Sequence, residues 1–64
     1  MNYLPEVGER IVVYGLPQKA KVTSVYWDVT SFDWIINLDW GSDGTSKVKL
    51  HDQNKIWYRV LKTN

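Results

Sequence analysis

"DWIINLDW", residues 33–40, alternates between two kinds of side chain along its whole length. Trp34, Ile36, Leu38 and Trp40 fall on one side of an extended chain, and Ile35, Asn37 and Asp39 fall on the other. A period of two marks a β-strand that presents one face to a core. The next residues, "GSDG" (41–44), carry turn chemistry: Gly41 and Gly44 tolerate positive φ, and Asp43–Gly44 is a favoured tight-turn pair. This stretch therefore predicts a strand that runs into a hairpin.

Strand signals continue on both sides. Downstream, "TSKVKL" (45–50) puts Val48 and Leu50 inward and Lys47 and Lys49 outward. Upstream, "AKVTSVYW" (20–27) starts with Ala20 and Val22 on one face, but Val25 comes three residues after Val22. That phase slip predicts a bulge near Ser24. "ERIVVYG" (9–15) sets Ile11 and Val13 against Val12 and Tyr14, and "LPQK" (16–19) is a loop because Pro17 cannot donate to a ladder. "HDQNK" (51–55) suits a single helical turn, and "IWYRVLK" (56–62) reads as a last strand. No stretch holds the i, i+3, i+4, i+7 apolar pattern of a helix. The expected fold is all-β: a five-stranded SH3-like small barrel with one short helical turn before the last strand. Closure relieves so few strands of exposed edges.

Size and composition narrow the function classes. A chain of 64 residues without low-complexity tracts or repeats predicts one domain over residues 1–64, whether a complete short protein or a domain of a longer one. So small a domain buries only about 60% of the surface its unfolded chain exposes. Cysteine is absent, which removes disulfides and thiolate metal sites, so packing must carry stability. Four Trp, four Tyr and one Phe supply the bulk for it. No apolar run approaches the roughly 20 residues of a membrane span. The opening "MNYLPEVGER" lacks the basic and apolar regions of a secretory signal, so a cytoplasmic protein is expected. A net charge of +1 gives no electrostatic mandate for nucleic acid.

"VGERIVVY", "AKVTSVYWD", "WIINLDWGSDG" and "KVKLHD" together resemble the Tudor branch of SH3-like barrels. The likeness lies in a Gly-acid-x-hydrophobic opening, a turn-crossing second strand, an alternating third strand ending in a Gly turn, and a short polar helical turn. It spans Val7 to about Gln53. The resemblance implies recognition of a methylated or cationic side chain by an aromatic cage with a nearby acid. Tyr14 and Trp40 fall at aromatic positions of such a cage and Asp43 at its polar partner, while Lys19 and Leu38 stand at remaining cage positions.

Three tryptophans each adjoin an aspartate: Trp27–Asp28, Asp33–Trp34 and Asp39–Trp40. Trp34 shares a face with Ile36 and Leu38 and is assigned to the core. Trp27 follows Tyr26 into the polar loop "DVTSFD" and is assigned to a ligand-facing rim, where large aromatics make binding hot spots. Trp40, at the strand end, is open between capping the core and touching a ligand. The expected function is a non-catalytic module that binds a protein or short basic peptide through one barrel end, where Tyr14, Tyr26, Trp27 and Trp40 converge with Asp28 and Asp43. The plainer reading of Asp28 and Asp33 is that they solvate turns. An alternative is nucleic-acid binding through Lys21, Lys47, Lys49 and Arg59 with aromatic stacking. Another is a structural or regulatory subunit of a larger assembly. His51 is the lone histidine, beside Asp52, so no catalytic residue, metal site or cofactor is expected.

Overall fold

The computed structural model describes residues 3–60. Five strands form one antiparallel sheet: β1 (Arg10–Val13), β2 (Lys19–Asp28), β3 (Asp33–Asp39), β4 (Thr45–Lys49) and β5 (Trp57–Arg59), in the order β4-β3-β2-β1-β5. β1 to β4 form a meander in which consecutive strands pair, and β5 returns to pair with β1. The strand residues are rich in the β-branched and aromatic types that fit a pleated, half-buried surface.

The bulge predicted near Ser24 lies between Val22 and Ser24, where the β2–β3 register shifts. Beside it, Gly8 N–H donates to the Val22 carbonyl and Val22 N–H to the Glu9 carbonyl, both at 2.8 Å. The segment before β1 is thereby stitched to the bent part of β2.

Three local expectations need correction. Strand β1 stops at Val13 rather than Gly15, because Gly15 takes a φ of 88° and Leu16 N–H turns back to the Val13 carbonyl. The single helical turn becomes two 3-10 turns, Gly41–Asp43 and Leu50–Asp52. The first occupies the link expected to be a tight turn, with Gly41 at φ 74° and Gly44 at φ 96°; the second starts one residue before the predicted "HDQNK". β5 ends at Arg59, and its predicted extension over Leu61 and Lys62 lies outside the described residues.

Among the described residues no ladder joins the edge strands β4 and β5, so the sheet is not closed. It is nevertheless strongly bent, because the Trp57 indole N–H on β5 donates to the Lys49 carbonyl at the end of β4, at 2.8 Å. In a flat sheet these edge strands would stand roughly 19 Å apart, at about 4.8 Å per strand spacing.

Inside the bend lies the core: Ile11, Ala20, Val22, Ile36, Leu38 and Trp57, all fully buried. Val13, Val25, Trp40, Val48 and Leu50 pack around them. The alternation of β3 is thus realised at its centre, but Trp34 is only half-buried and stands outside this cluster. The indole that fills the core is Trp57. Ile35 is buried too, on the opposite face, and the second 3-10 turn contacts β3. Gln53, just after that turn, is buried and clamps the N-terminal segment: its Oε1 accepts from Tyr3 N–H at 2.7 Å and its Nε2 donates to the Tyr3 carbonyl at 2.8 Å.

Candidate functional site

The residues expected to converge are distributed over four places. Trp40 and Asp43 share a cleft of about 640 Å³ between β4 and the β1–β2 loop. Its far wall is apolar, made by Val13, Leu16 and Pro17. The Trp40 indole N–H donates to Ser46 Oγ at 2.7 Å, which fixes the ring against β4. Across the cleft, Gln18 Nε2 donates to Asp43 Oδ2 at 2.8 Å and lies 3.4 Å from the Trp40 carbonyl. A single loop amide thus orients the carboxylate at the cleft's edge. Trp40 both packs against the core and lines the cleft.

Trp27 and Asp28 lie at the other end of β3, at the β2–β3 hairpin tip. A strand rises about 3.3 Å per residue, so Trp34, the partner of Trp27, is roughly 20 Å from Trp40. Trp27 packs edge-on against Trp34 at 5.6 Å and against Phe32 at 5.2 Å between ring centres. Trp27 is 42% exposed and Phe32 80% exposed, with Val29 beside them in the turn. Phe32 holds a φ of 55°, an unfavourable conformation for a bulky side chain. Asp28 performs a turn function: its Oδ1 accepts from Thr30 N–H at 3.2 Å and its Oδ2 from the Ser31 hydroxyl at 2.9 Å.

Tyr26 lies on the opposite face of β2 from Trp27, in a row with Ile35 and Lys49. Tyr14 leaves the end of β1 and packs on Tyr58, with ring centres 5.2 Å apart. Lys21, Lys47 and Lys49 are exposed and share the outer face with Arg10 and Lys19, as the register requires. Asp39 stands opposite Lys21 in that face, and its Oδ1 accepts from Gly41 N–H at 2.9 Å. Arg59 belongs elsewhere. It pairs with the core-facing Ile11, and its Nε and guanidinium nitrogen lie 3.1 and 3.0 Å from Glu9 Oε1.

His51 has a partner that its sequence neighbours did not reveal. Its Nδ1 lies 2.6 Å from Asp33 Oδ2 and its Nε2 3.2 Å from Asp52 Oδ1. The pair ties the second 3-10 turn to the start of β3. Among the described residues, no group of three or more His, Cys, Asp or Glu is placed to hold a metal ion.

Hydrogen bonding lowers two carboxyls. Asp28 is held below its ordinary value by the Ser31 hydroxyl first and the Thr30 amide next. At Asp33 burial acts in the opposite direction and is the largest single influence, but the His51 side chain, the Trp34 and His51 amides and the His51 charge together outweigh it. A carboxyl lowered in the folded state stabilises at neutral pH, and that contribution disappears as pH falls through the depressed value. Stability is therefore expected to decline as pH drops below the ordinary 3.8. Urea unfolding between pH 5 and pH 2 checks this, with Asp33→Asn expected to show a shallower decline. An acid limb identical in the two proteins would remove Asp33 from the account.

Three features of these sites carry no local pattern in the sequence: Gln18 as the orienting amide, Leu16–Pro17 as a cleft wall, and Phe32 as part of the hairpin tip. No helix among the described residues is long and apolar enough to cross a membrane. Compared with protein-family models, curated proteins and solved structures, the chain matches none.

Proposed function

We propose that this chain is a non-catalytic binding module, an SH3-like small barrel of the Tudor type, that holds a cationic side chain of a protein or peptide partner between Trp40 and Asp43. The observation that carries this reading is the shared cleft, with an indole, a carboxylate held in place by Gln18, and an apolar wall. The barrel part of the reading rests on the Trp57 indole of β5 reaching the Lys49 carbonyl of β4 across the open gap. A cation over an indole face is worth roughly 0.5–2 kcal/mol, so one side chain alone binds weakly.

The test is an NMR titration of acetyl-arginine methylamide against its neutral citrulline counterpart, following the Trp40 indole N–H. Arginine is expected to shift that resonance and citrulline to leave it nearly unmoved. Asp43→Asn should weaken the arginine response by up to about 5-fold, the equivalent of the roughly 0–1 kcal/mol of an exposed ion pair. Equal responses to arginine and citrulline, or none at Trp40, would sink the reading.

A second reading, contact with nucleic-acid phosphates, is favoured by Lys21, Lys47 and Lys49 sharing one exposed sheet face. Asp39 in the same face and the engagement of Arg59 by Glu9 weigh against it.

A further inference from the structure

The cleft opens onto the edge of β4, and the hydrogen-bond phase of that strand is fixed. Trp40 N–H donates to the Gly44 carbonyl at 2.8 Å, so residues 40 and 44 form a bonded pair. Bonded and non-bonded pairs alternate along an antiparallel ladder. With the observed register, Leu38–Ser46 and Ile36–Val48 are the next bonded pairs. Thr45, Lys47 and Lys49 therefore turn their N–H and C=O groups away from β3. Lys49 agrees with this phase, since its carbonyl receives the Trp57 indole. The edge groups of Thr45 and Lys47 have no partner in the described residues.

We infer that an extended segment of a partner protein adds antiparallel to β4, exchanging both backbone hydrogen bonds with Thr45 and with Lys47. This inference rests on the cleft reading and states how the partner's chain is held. Alternate side chains of the added strand point to opposite faces. On the inner face they enter the cleft, first beside Val48 and Val13 and then toward Trp40 and Asp43. On the outer face the residue opposite Lys47 is acidic, by cross-strand charge complementarity. The segment thus reads apolar, acidic, apolar, small, cationic in chain order. Addition stops at Lys47, because the Lys49 carbonyl is occupied. A second copy of this chain fits the edge poorly. The open side of β5 is short, and its Trp57 carbonyl already accepts from Asn54 N–H. Two β4 edges laid together would gather the lysines of both copies on one face.

The experiment is amide hydrogen exchange by NMR with the peptide acetyl-Thr-Val-Glu-Val-Thr-Arg-Thr-amide. In the free protein, Thr45 and Lys47 amides should exchange fast and those of Ser46 and Val48 slowly. In the complex, exchange at Thr45 and Lys47 should slow by about tenfold or more. Lys47→Pro removes an N–H that the β3 ladder does not use, and proline is tolerated at such edge positions. That variant should keep its fold and lose peptide affinity by about tenfold or more, while Lys47→Ala stays within a few-fold of the parent. A peptide that shifts the Trp40 indole without slowing Thr45 and Lys47, or that binds Lys47→Pro like the parent, overturns strand addition and leaves the cleft reading standing. So does a peptide that fails to bind while acetyl-arginine methylamide still shifts Trp40. Failure of both probes removes both readings. Exchange at Thr45 and Lys47 that is already slow in the free protein, and slower at higher protein concentration, assigns the edge to a second copy instead.

Discussion

Trp57→Ala is expected to destabilise the protein by about 3–5 kcal/mol, the range for emptying a buried aromatic site. Trp57 is fully buried in the core cluster, and its indole N–H ties the two edge strands together through the Lys49 carbonyl. The substitution therefore removes packing and leaves that carbonyl without its donor. A domain of this length has a total stability of roughly 3–10 kcal/mol at the usual 0.05–0.15 kcal/mol per residue. The loss takes a large share of that range and unfolds the chain outright at its lower end. Urea unfolding followed by circular dichroism measures it directly. Trp57→Phe should retain most of the volume and cost about 1–3 kcal/mol, chiefly through the orphaned carbonyl and the partial cavity. Trp27→Ala serves as contrast, since it removes an exposed ring and edge contacts worth about 0.5–1.5 kcal/mol each. A Trp57→Ala loss below that of Trp27→Ala would mean the sheet does not bend around Trp57.

The contrast between these indoles shows what the sequence makes legible. The alternation of residues 33–40 correctly identifies a strand and the shared face of Ile36 and Leu38, because period-two patterning is a local property. The bulge is legible for the same reason, since the slip between Val22 and Val25 is written in the chain. Patterning names a face but not how far along the strand the core extends. Trp34 points to the core face yet stands at the hairpin end of β3, packed against Trp27 outside the core cluster. Trp57 gives no core-face pattern to read, because in "IWYRV" it shares its side with Arg59 while Ile56, Tyr58 and Val60 fill the other. Its burial follows from β5 returning to β1, a long-range pairing. The candidate sites divide in the same way. Asp28 could be read as a turn aspartate from its neighbours Thr30 and Ser31. The meeting of Asp43 with Gln18, and of His51 with Asp33, needs the completed bend.

Ile36→Ala is expected to cost about 2–5 kcal/mol, and Ile35→Ala less, although the two residues are adjacent and both buried. Ile36 occupies the central row Val25–Ile36–Val48, with core side chains on the same face of β1 and β5. Rigid strands surround it on several sides, so a cavity there cannot collapse. Ile35 lies in the row Tyr26–Ile35–Lys49 on the outer face, beside the start of the second 3-10 turn. Tyr26 and Lys49 are flexible, partly solvated side chains that can move into the vacated space, which lowers the cavity cost. Ile36→Val should lie near 0.5–1.5 kcal/mol, giving a graded series at one position. Urea midpoints at constant m-value provide the comparison, because a changed m-value would signal an altered unfolded or native state rather than lost packing. A larger loss for Ile35→Ala than for Ile36→Ala would place the principal core on the outer face. The concave face with its Trp40 cleft would then be the more adaptable side of the sheet.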